Sequence, residues 1–254
     1  MTYQKEDIKT LQRENAAHIA DQISWYIKQS LNRMQILNEM LAGNISAQNL
    51  TSKINTFLLL HPEYEHIIVL DSRGHEIWQA DSGHTKPSIA LRDRGSDLLI
   101  REALSGKSLV TPDKLSSTNG SVKINLMVPI KDARDMTVGI LEARLNPAAL
   151  WERIAKLNSG RGSVAYLIGP DGHFISNLYT SRAPAKHEFK NSPLIQAMQT
   201  GQAGVAEYLN TVSQKVIGVS ALVPATSWGV IVEEPLSQLY APTTKIVTLF
   251  LWLF

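Results

Sequence analysis

The residues of this chain with the most chemistry to offer are seven histidines and three arginines set close to carboxylates, Arg92, Arg94 and Arg144; there is no cysteine. The histidines fall singly, and no H-E-x-x-H, G-x-S-x-G, P-loop or G-x-G-x-x-G pattern occurs. Lack of cysteine removes disulfides, thiolate metal sites and cysteine nucleophiles. His75 and His173 each follow a glycine, in "RGHE" and "DGHF". That repeat invites a metal pair, but each histidine belongs to its own hairpin tip, so both read as solvated turn residues. Glu233 and Glu234 are adjacent, and on a strand neighbours face opposite ways, so they do not converge as an acid and base pair. The chain is therefore expected to hold no catalytic site, metal or cofactor.

The basic residues are more informative. "LRDRGSD" places Arg92 and Arg94 just before a helical segment, and period-two reading of "VGILEARL" puts Val138, Ile140, Glu142 and Arg144 on one strand face. A guanidinium there offers a planar fork of donors that matches a carboxylate or phosphate. The alternative is that Glu142 and Arg144 form a solvated strand-end pair of little consequence. Asn125, within "KINLMVPI", needs a hydrogen-bond partner if it faces inward. Trp78 either walls a pocket or packs in the core.

With 254 residues and 44% hydrophobic content the chain can fill two ordinary domain cores. Twenty-five basic residues against 23 acidic ones leave a formal charge of +2. No electrostatic footprint for nucleic acid results.

Those side chains need elements to hold them. Leu11, Ile19, Ile23, Ile27, Leu31, Met34, Leu37 and Leu41 recur at helical spacing and stop at Gly43-Asn44, which predicts one long amphipathic helix over residues 1–44. A stripe of this kind packs on a core or pairs with a second copy. Beyond it, four landmarks repeat in the same order. Strand-turn-strand segments carry Gly74 and Gly172, 98 residues apart, and helices end at Gly106 and Gly201, 95 apart. Extended runs reach Pro129 and Pro224, again 95 apart, and strands begin at Gly139 and Gly229, 90 apart. The spacing implies duplication of a unit of about 95 residues, each copy a whole domain. An α+β fold is predicted: the helix, then two PAS-like modules over 45–150 and 151–240, each a five-stranded antiparallel sheet flanked by helices. "NPAALWERIAKLNSG" links them as a helix through Leu150, Ile154 and Leu157.

The long helix, "LDSRGHEI", "ALSGKSLVTP", "VPIKDARDMTVGILEARL", "YLIGPDGHFIS" and above all "SWGVIVEEPLSQLYAP" resemble the double Cache sensor domains of bacterial transmembrane receptors, namely histidine kinases, diguanylate cyclases and chemoreceptors. The resemblance covers nearly the whole chain. It implies an extracytoplasmic region of a bacterial inner-membrane receptor, facing the periplasm, that binds a small molecule in the first, membrane-distal module and relays the change to a cytoplasmic output domain outside this chain. By the same resemblance Trp228 to Val232 is the last strand, Pro235 starts a short helix, and the apolar run from Ile246 within 241–254 begins a transmembrane helix, about half the length of a full span. The opening "MTYQKEDIKTLQREN" lacks the apolar core of a signal peptide, so the family's upstream membrane segment is expected outside this chain.

For the site, the resemblance places Arg92 and Arg94 in the loop that roofs the pocket. It places Arg144 where amino-acid-binding members carry an aspartate for the ligand ammonium, and their arginine-x-tryptophan-tyrosine motif is missing before Leu98. A guanidinium in place of a carboxylate reverses the preferred charge, so a small anionic ligand, a carboxylate, is expected on Trp78, Arg92, Arg94, Asn125 and Arg144. The second pocket, with Tyr179, Arg182 and His187 nearby in sequence, stays unassigned. The rival expectation is a ligand-free structural or protein-binding module. Expected partners are the small molecule, the membrane through flanking helices and a second copy through the long helix, with no nucleic acid.

Overall fold

A computed structural model describes residues 2–41, 47–82, 91–112, 123–158, 163–177, 192–210, 213–224 and 226–239. Helix α1 (Thr2–Leu41) is followed by α2 (Ala47–Leu60). Then come β1 (Tyr64–Asp71), β2 (Glu76–Asp81), α3 (Leu98–Leu104), β3 (Leu109–Pro112), β4 (Ile124–Lys131) and β5 (Thr137–Leu145). After α4 (Ala148–Asn158) the order recurs as β6 (Val164–Ile168), β7 (Phe174–Asn177), α5 (Pro193–Gln199), β8 (Val205–Leu209), β9 (Lys215–Leu222), β10 (Gly229–Pro235) and α6 (Leu236–Leu239).

The two antiparallel sheets have the same strand order, β2-β1-β5-β4-β3 and β7-β6-β10-β9-β8. In each the last strand sits in the middle, paired with the first strand of its module. The α+β class, the long helix and the two five-stranded sheets agree with the sequence expectation. The described residues divide into two units: those within Ile27–Pro147 hold the first sheet, and those before Ile27 go with those after Pro147 around the second. Each unit thus includes part of the long helix.

The repeated landmarks have a common physical cause at the hairpins and helix ends. Gly74 and Gly172 sit at φ +85° and +80°, a left-handed conformation the turn requires and a side chain resists. Asp97 and Ser192 cap α3 and α5 by accepting from the Leu99 and Leu194 amides, 95 residues apart. The later landmarks are not in register. Pro129 lies inside β4 opposite Ile140, whereas Pro224 lies after β9 has ended. Gly139 pairs with Asp71, but Gly229 pairs with Ile168, one residue short of the equivalent turn position, so the two glycines face opposite sides of their sheets.

In the first unit, Ile68, Leu70, Met127 and Ile140 pack with Ile100 and Ala103 of α3. The reverse face carries Ile67, Val69, Leu126, Val128 and Leu141, all buried. Tyr64 donates to the Ser30 carbonyl of α1 at 2.8 Å, and Asn38 of α1 donates to the Pro129 carbonyl at 3.0 Å. Along α1 the sequence stripe is buried at Ile19, Ile23, Ile27, Met34, Leu37 and Leu41, while Leu11 is 48% exposed. In the second unit α4 buries Leu150 and Ile154, and Ser24 donates to the Pro224 carbonyl at 2.8 Å. Pro235 closes β10 opposite Val216, with α6 starting one residue later. Residues 241–254 and the Tyr179, Arg182 and His187 segment lie outside the described residues. Among the described residues no helix is long and apolar enough to cross a membrane.

Candidate functional site

Strand register decides which side chains share a face. On the α3 side of the first sheet, Leu109, Met127, Glu142, Ile68 and Gln79 form one row across all five strands. The next row is Thr111, Asn125, Arg144, His66 and Asp81, each directly opposite its neighbour. Directly opposed side chains lie within about 4.5–5.5 Å at Cβ, so this is a continuous polar row beside the apolar core. His66 Nδ1 lies 2.5 Å from Asp81 Oδ1 at its end. Lys123 and Asn146 both donate to Glu65, at 2.6 and 2.7 Å.

Arg94 stands over the adjoining row. One nitrogen donates to Glu142, which is buried, and lies 3.9 Å from Glu76; the other donates to Asp97 at 3.4 Å. Burial works against the Arg94 cation, yet Glu142 and then Asp97 more than offset that, so its pKa is raised. The segment carrying it is fixed by backbone bonds from Arg94 N–H to Gly74 and from Glu76 N–H to Arg92. Glu76, fully buried at its side chain, accepts from the Arg92 amide at 3.0 Å. These bonds hold the approach to α3 against the first hairpin.

The five residues singled out from the sequence fall in three places. Asn125 and Arg144 are direct neighbours in the polar row. Arg94 faces the same side of the sheet but is engaged by Glu142 and Asp97. Arg92 extends outward, its side chain 68% exposed, with Nε 3.7 Å from Glu76. Trp78 pairs with Val69 and points to the reverse face, where its indole N–H donates to Thr51 of α2 at 3.2 Å. Sequence reading missed Thr111, His66, Asp81 and Glu76, since only the pairing of non-adjacent segments aligns them. Their residue types alone carry no such signal.

The two turn histidines sit beside aspartates: His75 is 3.3 Å from Asp71 and 3.5 Å from Asp93, and His173 contacts Asp171. Among the described residues no group of histidines and acids is arranged to hold a metal.

Comparison with known proteins bears on what this geometry serves. The extracellular domain named for histidine kinase rpHK1S-Z16 superposes with a TM-score of 0.74 at 13% identity, over 91% of this chain and 95% of that one. The extracellular domain named for histidine kinase mmHK1S-Z3 gives 0.70 at 13%, over 93% and 97%. The ligand-binding domain of the Campylobacter jejuni chemoreceptor Tlp3, solved with L-valine, gives 0.66 at 15%, over 94% and 96%. These likenesses establish a common fold. No curated protein matches the chain. The Cache domain family matches residues 2–243, almost the full length. With two sheets of identical order behind one long helix, the chain belongs to the Cache domain family, whose role is sensory rather than catalytic.

Proposed function

We propose that this chain is the extracytoplasmic ligand-sensing region of a bacterial membrane receptor, and that its first module, distal to the membrane, binds a small carboxylate-bearing molecule. The observation that carries the reading is the row Thr111, Asn125, Arg144, His66 and Asp81, with one guanidinium at its centre on the helix-covered face. Arg144 supplies the charged fork, and Asn125 and Thr111 supply neutral hydrogen bonds that orient a planar anion. Arg94, already held by carboxylates, shapes the adjoining wall. The receptor is anchored through flanking transmembrane helices and pairs with a second copy along α1. α1 and the β10–α6 segment carry the change toward a kinase, cyclase or chemoreceptor output domain. A ligand drives that relay only through unequal affinity for two arrangements of the module.

A second reading is favoured by one feature of the same row: it ends in an acid, Asp81, as well as carrying Arg144. That pairing suits a zwitterion, and the Tlp3 structures with L-valine, L-norvaline and isoleucine are relatives in fold.

A thermal-shift screen with organic acids, amino acids, amines and sugars tests both readings. A ligand at 100 times its dissociation constant adds about 2.7 kcal/mol, which is several degrees for a chain of this size. Acids alone should shift the melting point under the first reading, and amino acids under the second. Arg144→Ala should abolish either shift. A panel without response, or a shift that persists in Arg144→Ala, overturns the site.

A further inference from the structure

The second module carries its own polar group at the place that Arg144 holds in the first. Arg144 lies between His66 of β1 and Asn125 of β4; Glu233 lies between Val164 of β6 and Gly218 of β9, on the α5-covered face. Glu233 is 2% exposed. It accepts from the Tyr208 hydroxyl at 2.7 Å through one oxygen and from the Tyr166 hydroxyl at 3.4 Å through the other, with Asn210 bonded to it as well. Gly218 makes this arrangement possible: a Cβ there would come within 2.6 Å of the Tyr208 ring and hydroxyl. The phenol therefore lies across the strand where a side chain would stand.

Other groups around it are apolar. Ile231 of β10, Ile168 of β6, and Leu194, Ile195 and Met198 of α5 complete the cluster, with Val164, Phe174 and Ala206 against it. Among the described residues the titratable groups that face Glu233 are Tyr166 from β6 and Tyr208 from β8; β9 and α5 contribute none, and no cation pairs with it. Burial raises the pKa of Glu233 above its ordinary value, more than the bonds from Tyr208, Tyr166 and Asn210 lower it.

We propose that Glu233, Tyr166 and Tyr208 form a proton-binding site that gives the second module a sensory input of its own, separate from any ligand of the first. An ionised Glu233 accepts from both phenols. When one oxygen takes up a proton it becomes a donor, so the phenol facing it must accept and send its own hydrogen elsewhere. Tyr166, the longer contact, is the one that inverts. The change occurs on β10, whose next residue, Glu234, is also buried, accepts from Gln12 of α1, and leads within two positions to α6. A proton at Glu233 thereby alters how firmly the outgoing strand is held.

The direction follows from linkage. The folded state binds this proton more tightly than the unfolded chain, so stability falls as pH rises from about 4.3, the unfolded glutamate value, through the higher folded one. The test is ¹³C NMR of the full chain with labelled glutamate carboxyls, joined to hydrogen exchange of the β10 amides corrected for intrinsic pH dependence. One carboxyl should titrate above about 4.3, vanish in Glu233→Gln and move further up in Tyr208→Phe, which removes a donor to the ionised form. Protection over Gly229–Glu234 should be several-fold higher in the protonated form and lose that step in Glu233→Gln. If Glu233→Gln does not fold, Tyr208→Phe replaces it: the carboxyl titration and the β10 protection step should move up in pH together. A Glu233 carboxyl that titrates at or below the ordinary value, or β10 protection indifferent to its titration, overturns the proposal.

Discussion

The two modules place opposite chemistry at one position of one fold. In the first, the central strand presents Arg144 between Asn125 and His66, and the buried Glu142 two residues before it is met by the Arg94 guanidinium. In the second, the equivalent of Glu142 is the apolar Ile231, and the equivalent of Arg144 is Glu233, covered by two phenols. Duplication preserved the strand order and let the floor diverge. The difference teaches that a buried carboxylate has two ways to persist. One is paired with a cation, as Glu142 is with Arg94; the other is satisfied by neutral donors, as Glu233 is by two phenols.

The largest effect that would break this contrast is loss of the cation. Arg94→Ala leaves Glu142 buried without its guanidinium and Glu76 with only the exposed Arg92, and should cost roughly 3 kcal/mol in urea unfolding, with part recovered in Arg94→Ala with Glu142→Gln. A loss below about 1 kcal/mol would show that this carboxylate, too, survives on neutral donors. Next comes the second floor. Gly218→Ala drives a methyl into Tyr208 and Leu194, and overpacking of this kind costs about 1–3 kcal/mol while displacing the phenol from Glu233. Tyrosine fluorescence and thermal melting read both effects, and an unchanged Tyr208 environment would mean that the ring does not depend on the missing side chain. The smallest effect sharpens the first case by separating its arginines. Arg92→Ala removes only an exposed partner of Glu76, so its melting curve should match the wild type within about 0.5 kcal/mol. A larger loss would make Arg92, not Arg94, the residue that sustains the first hairpin.

Much of the architecture is legible in the sequence. Hairpin glycines, helix caps and strand alternation are local, and the duplication shows through them because each copy needs the same backbone conformations at the same turns. Legibility fades along each unit. Gly74 and Gly172 mark equivalent turn positions, but Pro129 and Pro224 do not, because the loops between strands differ in length and the strands still align. The pairing of the two prolines was a coincidence of spacing.

The site divides in the same way. Period-two alternation was enough to put Glu142 and Arg144 on one strand face and to send Glu233 and Glu234 to opposite faces. It could not say which face Trp78 takes, since that depends on the bulge between Val69 and Leu70 where β1 meets β2. Nor could it align Thr111, Asn125, Arg144, His66 and Asp81. The sequence by itself determined the elements, their repetition and the parity of each side chain, all properties of short stretches of backbone. Only the tertiary structure decided which strands become neighbours and in what register. Those pairings join residues as far apart as His66 and Arg144, and they are settled by burial of the whole sheet rather than by any local preference.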